Sequence, residues 1–403
     1  MSYVVAFNGA RDNYQVPLAL YEARRLETLV TDFYAPSFLS GLPLLNNRSN
    51  TGLPVNRVSA SARCAIVNHL FSRIPPLRAA IADTAGYVQS ALALAALTKS
   101  MRLKADLCLY SGYAKEAFES HKCRDKRKIL FVYHPHNRMT AELMREDAEK
   151  HPEVREAFAR FRGEIDDPRL EAEVATADFV ICASTFSANT ILALGFPPAR
   201  MAVVPYGIDV SGPTRELAPK LSPMRFLYVG SGIQRKGLHI LLRAWRAARL
   251  PSSILTVVAR TIDSGIAPLL DCESVEVHSG VDTAKLDALY QSAAVFVLPS
   301  LIEGFGYVYL EALSRGCYVV GTKNTGLPDL ECPSSMGSVI APGSEQALID
   351  VLTATRELFE TKQLDRDSIM AFAQKLSWSK FRNGINKHIN DWEGAPPSSM
   401  ESA

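Results

Sequence analysis

Residues 299–316 read Pro299-Ser300-Leu301-Ile302-Glu303-Gly304-Phe305-Gly306-Tyr307-Val308-Tyr309-Leu310-Glu311-Ala312-Leu313-Ser314-Arg315-Gly316, and this stretch decides the fold. An apolar run of strand length, Ala294-Val295-Phe296-Val297-Leu298, precedes it; a second, Tyr318-Val319-Val320-Gly321, follows. Strand, loop, helix and strand in that order, with both strands apolar throughout, predict a buried parallel βαβ unit. Gly304 and Gly306 fall where the loop becomes the helix, where glycine permits a sharp turn and close approach of a ligand. The backbone N–H groups of Gly304, Phe305 and Gly306 are expected to face forward from that helix start as an anion site. Glu303 stands just before it and Glu311 eight residues further on. A carboxylate accepts hydrogen bonds from hydroxyls and donates none. Two such acceptors flanking an anion site suit a diphosphate held between two sugars. Alone, a Gly-x-Gly would only turn the chain, with Glu303 capping the helix and Glu311 solvated.

The same grammar recurs on both sides. Arg225 to Val229 reads as a strand, Gly230-Ser231-Gly232-Ile233-Gln234-Arg235-Lys236-Gly237 as a glycine-rich basic loop, and Leu238 to Arg249 as a helix. A cation pair on small residues ahead of a helix is suited to phosphate oxygens. At the beginning, Tyr3 to Asn8 reads as a strand, Gly9 to Asn13 as a loop, Gln15 to Arg25 as a helix and Leu26 to Tyr34 as a strand. That order is Rossmann-like, but the G-x-G-x-x-G fingerprint is absent, which argues against a nicotinamide dinucleotide and hydride transfer. The strand Lys128–Tyr133 runs into His134-Pro135-His136-Asn137. Polar residues just past a buried parallel strand face the ligand crevice, so His134 and His136 are rival candidates. Phe179 to Ser184 is a further strand, with Ser184 or Thr185 as N-cap of the helix after it.

The opening string resembles the E-x7-E signature of family 4 glycosyltransferases, which adopt the GT-B fold; both the Gly-Phe-Gly after Glu303 and the Glu-Ala-Leu from Glu311 match. Val203-Val204-Pro205-Tyr206-Gly207-Ile208-Asp209 resembles the V-V-P-x-G-V-D that closes the first domain, and Arg235-Lys236-Gly237 the family's R-K-G. Ser231 stands where many members carry an arginine, and Arg260-Thr261 where glycines are frequent. Gly321 to Asp329 resembles the G-x-x-x-G-G-x-P-E loop, with Thr325 and Asp329 as departures. The likeness is close from Val203 to Phe381. Over the first half it rests on strand order, on His134 after a strand of the V-V-x-x-H type, and on Ser184 to Ser187. The resemblance implies two Rossmann-like α/β domains facing a cleft: residues 1–205 for the acceptor, a linker at 206–223, residues 224–376 for the donor, and a helix at 377–393 crossing back to the first domain. It implies metal-independent hexosyl transfer, with retention, from a nucleotide-diphospho-sugar of UDP or GDP type to a glycan or lipid-linked glycan, and no other cofactor. Glu311 would accept from the ribose and Glu303 from the donor sugar. Arg235 and Lys236 would stabilise the departing diphosphate, with His134 beside it. Gly9, Gly230, Gly304, Phe305, Gly306 and Gly326 would offer backbone to the donor, with Leu327 next to the last; Arg11 and His136 would meet the acceptor. A non-catalytic nucleotide-sugar-binding partner subunit and a sugar-nucleotide epimerase of the same fold are the rival functions.

At 403 residues the chain exceeds one core and implies two or three domains. A net charge of +2 argues against a nucleic-acid binder on charge alone. The amino terminus enters a strand without the pattern of a signal peptide, and no apolar run approaches the ~20 residues of a membrane span. Seven scattered cysteines without paired spacing fit a reducing cytosol and argue against a disulfide framework or a cysteine zinc site. Ala35 to Val58 reads as a long loop and 62–72 and 77–100 as amphipathic helices. From Arg57 to Lys104 seven bases face one acid, Asp83. Such a basic segment beside an acceptor domain suits an anionic membrane surface, giving a cytoplasmic protein peripheral on the inner face of the membrane.

Overall fold

A computed structural model describes residues 1–35, 48–67, 84–161, 168–209 and 223–393. Two all-parallel sheets carry the molecule. The first has seven strands in the order β3-β2-β1-β4-β5-β6-β7, the second six in the order β10-β9-β8-β11-β12-β13. In the first, β1 (Tyr3–Ala6), β2 (Leu26–Thr31), β4 (Asp106–Tyr110), β5 (Lys128–Val132) and β6 (Phe179–Cys182) form the centre, with β3 (Val58–Ala60) and β7 (Met201–Val203) at the edges. The second comprises β8 (Met224–Val229), β9 (Ser253–Val258), β10 (Val275–His278), β11 (Val295–Leu298), β12 (Tyr318–Thr322) and β13 (Gly337–Ile340). Every residue of β1, β5, β6, β11 and β12 is buried, as expected of strands covered on both faces by helices. This is the mixed α/β, two-domain architecture expected.

Edge strands Val58–Ala60, Met201–Val203 and Gly337–Ile340 lay outside the sequence reading. Val58–Ala60 falls at the end of the segment read as a loop, and Gly337–Ile340 carries no strong apolar alternation. Helices Gln15–Glu22 and Leu238–Ala248 stand where the sequence placed them, and Asn137–Lys150, Arg155–Phe161 and Arg169–Thr176 follow β5. The first basic helix is described as Ala62–Ile66 and the second as Thr84–Leu103; the stretch between them, most of the linker and the tail from Gly394 lie outside the described residues. All seven cysteines are free. No helix among the described residues is long and apolar enough to cross a membrane.

The chain crosses between domains twice at one place. A Cβ on Gly207 would stand 2.4 Å from the backbone of Ser377, so the outgoing and returning strands touch directly. Ile208 donates its N–H to Leu376 O at 2.7 Å. The helix Trp378–Trp392, capped by Ser377, then lies on the first domain. Arg382 donates to Gln15 and Glu22, each at 2.8 Å, and Asn386 to Ala19 O at 2.9 Å. Trp392 stacks on Phe179 with ring centroids 4.6 Å apart.

Candidate active site

The basic loop after β8 ends in a single 3-10 turn, Gln234–Lys236, before the helix Leu238–Ala248. Gly237 joins them at φ +69°, and a Cβ there would stand 2.1 Å from Pro299 O. Only glycine lets the turn press against the end of β11. The contact brings both motifs together. Leu301 N–H donates to Arg235 O at 2.9 Å and Arg235 Nη1 to Ile302 O at 3.0 Å. Lys236 Nζ pairs with Glu303 Oε2, and Arg235 Nη1 lies 3.4 Å from Oε1. Burial pushes the Glu303 carboxyl upward, yet Lys236 and Arg235 outweigh it and hold the group below its ordinary range. Glu303 is therefore an ionised acceptor sharing a site with two cations.

The helix after this loop begins at Val308, not at Gly304. Gly306 sits at φ +88° over the ring of Tyr309, and that left-handed turn delays the helix. The expected helix-start anion site at residues 304–306 is thus a loop. Phe305 is buried with its ring against Tyr206, centroids 5.1 Å apart. The N–H groups expected from the next loop are also engaged: Gly326 donates to Phe305 O at 2.7 Å and Leu327 to Thr325 Oγ1 at 3.2 Å. These bonds stiffen the wall of the cleft instead of contacting a diphosphate. Glu311 lies on the short helix and accepts from Tyr290 Oη at 3.0 Å. Burial raises its pKa, opposed by Tyr290 and Arg315. Gly230 closes β8, its N–H bonded to Val258 O at 3.0 Å.

The first domain meets this loop at Gly304. A Cβ there would stand 2.1 Å from Tyr133 O and 3.1 Å from His134 Cα. His134 is thereby brought to the loop at residues 303–306, its Nδ1 3.2 Å from Pro135 O. Ser184 and Ser187 donate to Gly304 O at 2.5 and 3.2 Å, while Ser184 also caps its own helix by accepting from Ser187 N–H. Asp329 receives the N–H of Thr185 at 3.0 Å and its hydroxyl. The Ser-x-x-Ser motif and the departure at Asp329 are therefore contacts across the cleft, which sequence reasoning saw only as a cap and a mismatch.

Arg11 stacks its guanidinium over the Tyr133 ring at 4.0 Å. Beside it, Asp12, Asn13 and Tyr14 all take left-handed φ, at 40°, 49° and 62°. Each such non-glycine residue costs on the order of 1–2 kcal/mol, and such strain clusters at functional sites. The strain turns Asp12 inward, where it accepts from Tyr110 Oη and, at 3.2 Å, from Tyr206 Oη. Burial lifts the Asp12 carboxyl to about 6, against the opposing pull of Tyr110, Arg11 and Tyr206. Asp12 and Tyr206 were missed in the sequence; their only signal was the place of Asp12 beside Arg11 in the loop after β1. His136, the rival to His134, is turned away. It is buried, caps the helix Asn137–Lys150 by accepting from Arg138 N–H, and its Nε2 lies 3.2 Å from Glu171. Gly9 likewise does not join the cluster, its N–H donating to Asp32 at 3.0 Å. A cavity of about 670 Å³ lined by Thr185, Tyr206, Asp329, Lys380, Lys387 and His388 includes none of the expected site residues.

A family model described as glycosyl transferases group 1 matches residues 223–356, the part that holds Arg235, Lys236, Glu303 and Glu311. The D-inositol 3-phosphate glycosyltransferase of Segniliparus rotundus is 27% identical over 252 residues, covering 55% of this chain and 55% of that protein. The GDP-mannose:cellobiosyl-diphosphopolyprenol alpha-mannosyltransferase of Xanthomonas campestris is 27% identical over 209 residues, covering 49% of this chain and 54% of that protein. The chain thus spans about half the length of these curated relatives. In fold the likeness runs end to end. Sucrose-phosphate synthase from Thermosynechococcus elongatus superposes with a TM-score of 0.62 at 17% identity, covering 98% of this chain and 100% of that one. The Anabaena protein HepE, solved with UDP and glucose, gives 0.58 at 16%, covering 97% and 99%. The GT-B scaffold extends over the whole chain, and residues 223–356, which carry Glu303, Glu311, Arg235 and Lys236, match the group 1 glycosyl transferases.

Proposed function

We propose that the chain transfers a hexosyl group, with retention, from a UDP- or GDP-type sugar to a glycan or lipid-linked glycan. The observation that carries this reading is Glu303 held between Lys236 and Arg235 directly beside Gly304, where the first domain brings His134. In this reading Lys236 and Arg235 turn from Glu303 to the diphosphate and stabilise the charge that develops as the sugar departs. Two fixed cations supply there what a divalent metal supplies in other transferases, and no further cofactor is required. Glu303, released but still ionised, accepts from the donor sugar's hydroxyls. Glu311 keeps Tyr290 on one oxygen and offers its remaining lone pairs to the ribose. With Nδ1–H given to Pro135 O, His134 presents Nε2 as an acceptor to the sugar. Arg11, on the strained loop, meets the acceptor, and Asp12 anchors that loop through Tyr110 and Tyr206.

A cytoplasmic protein resting on an anionic bilayer completes the proposal. On the helix Thr84–Leu103, Tyr87, Leu94 and Met101 recur every seven residues and are all exposed, with Lys99, Arg102 and Lys104 close by. An apolar stripe edged by bases is the chemistry of an interfacial helix. The relative named for a cellobiosyl-diphosphopolyprenol acceptor supports such a substrate.

The test is a screen of UDP- and GDP-sugars by titration calorimetry, followed by mass spectrometry of products formed with lipid extract and with soluble glycans. A glycosylated product whose linkage retains the donor's anomeric configuration is expected. Tight donor binding without product or donor hydrolysis would favour a binding subunit; an epimerised donor would favour the epimerase.

A further inference from the structure

The turn Gln234–Lys236 has two sides. Arg235 and Lys236 reach Glu303, whereas Gln234 points backward into a seam between the helices Asn137–Lys150 of the first domain and Leu238–Ala248 of the second. There Asp147, His151 and His239 are 5%, 7% and 0% exposed. One ligand-type atom from each lies within 4.8 Å of the others. His239 Nε2 is 3.0 Å from Asp147 Oδ2, and His151 Nε2 is 3.8 Å from Asp147 Oδ1. Tetrahedral ligands held roughly 2.0–2.2 Å from zinc are themselves roughly 3.4 Å apart, so shifts of a few tenths of an ångström would close the set.

The surroundings fit an ion better than they fit a self-contained network. Glu153 Oε1 stands 3.8 Å from His151 Nδ1, on the side of the ring away from Asp147. A carboxylate behind an imidazole is the usual way to orient a ligating histidine. His151 Nδ1, His239 Nδ1 and Gln234 Oε1 are buried without a hydrogen-bond partner, while Glu153 Oε1 is held by Arg243 Nη1 at 3.6 Å. Buried polar atoms are nearly always satisfied, and three orphans around two imidazoles and a carboxylate need a cause. Gln234 Nε2 already donates to Asp147 Oδ2 at 2.9 Å and to Met144 O at 2.7 Å. A cavity of about 300 Å³ lined by Met144, Arg160, Gln234, Arg235 and Asp263 reaches the two residues, Met144 and Gln234, that meet at the cluster.

We propose that Asp147, His151 and His239 bind a divalent cation of the zinc type, fastening the first domain to the second behind the diphosphate-binding turn. Two imidazoles and one carboxylate suit zinc among the available divalent ions, with a water or Gln234 Oε1 in the fourth position. The ion lies on the far side of the turn from Glu303 and takes no part in sugar transfer. It holds Gln234, and through the turn's backbone it positions Arg235 and Lys236.

The test uses the full chain, stripped with chelator and freed of any histidine tag. Zn²⁺ is titrated against a competing chromophoric chelator, Co²⁺ uptake is followed by visible absorption, and bound metal is counted by elemental analysis. One Zn²⁺ per chain is expected, with a tetrahedral Co²⁺ spectrum and a rise in Tm on loading. His239→Asn and Asp147→Asn should each weaken Zn²⁺ by at least about 100-fold. Glu153→Gln, which leaves all three ligands in place, should weaken it by about 10- to 100-fold and decides the matter where a ligand variant does not fold. His121→Asn, at an exposed position, should change nothing. Failure of the wild type to take up Zn²⁺ at micromolar concentration, or uptake unchanged in His239→Asn, Asp147→Asn and Glu153→Gln, overturns the proposal.

Discussion

Removing the carboxylate of Glu303 should tighten the binding of bare nucleoside diphosphate while nearly stopping sugar transfer. Without donor, Lys236 and Arg235 are both drawn to Glu303, so an arriving diphosphate competes with a resident anion. The side chains of Glu303, Lys236 and Arg235 are 15%, 17% and 31% exposed. A hydrogen bond between charged groups is worth about 1.5–3 kcal/mol when partly buried. The more exposed Arg235 contact belongs nearer the ~0–1 kcal/mol of a surface pair. Taking the low end, about 1.4 kcal/mol is returned when the competitor is removed, or roughly tenfold in Kd. Glu303→Gln keeps the shape and removes the charge. Calorimetry with UDP and GDP at low ionic strength should show Kd falling about tenfold, while donor hydrolysis or transfer falls by roughly two to three decades. In a Lys236→Ala background the gain should shrink towards nothing, since most of the competition runs through that lysine. Because Glu303 is held below its ordinary range, mild acidification of the wild type should not mimic the mutation. If Glu303→Gln binds the bare nucleotide more weakly than wild type, the cations are not the diphosphate site and the reasoning is refuted.

Lys236→Ala alone should lower turnover by roughly two to three decades with a verified donor, and Arg235→Ala by less; steady-state rates check both. Gly304→Ala should force the domains apart, because its Cβ would meet Tyr133 O at 2.1 Å; small-angle scattering should show a larger radius of gyration, with about 1–3 kcal/mol lost from the closed form. Asp12 gives a pH signature. Its folded pKa of about 6 exceeds the ordinary 3.8, so between those values the folded state binds more protons. The stability it contributes is full below 3.8 and is lost as pH rises through about 6, by at most on the order of 3 kcal/mol. Asp12→Asn should flatten that part of the stability profile, measured by denaturant unfolding from pH 4 to 7.

The buried strands were legible because each is an unbroken apolar run between turn residues; Lys128–Val132 and Val295–Leu298 are buried along their whole length. Val58–Ala60 and Gly337–Ile340 were not, because short, half-exposed edge strands lack that run. In the site, Glu303, Arg235 and Lys236 stood out by residue type and motif, and the structure brings them together. The start of the following helix could not, since it turns on the left-handed conformation of Gly306 over Tyr309. Contacts across the cleft were out of reach for a different reason. Ser184 meets Gly304 and Thr185 meets Asp329 over separations of 120 and 144 residues, and only the placement of one domain on the other creates them. The seam cluster is hidden in the same way, with Asp147 and His239 lying 92 residues apart.

The helix Trp378–Trp392 makes the first domain the last to be completed. Its contacts with Gln15, Ala19 and Glu22 join residues 360 to 367 positions apart. During synthesis at ~5–20 residues per second, the first sheet emerges on the order of tens of seconds before the helix that covers it. Through that interval the surface under Trp392, with Phe179 at its centre, is open to water and to other nascent chains. On the ribosome the first sheet is therefore covered on this face only once the helix Trp378–Trp392 has emerged. A stop codon just before Ser377 would remove no candidate site residue, yet it should yield a protein that chaperones retain and that aggregates when released.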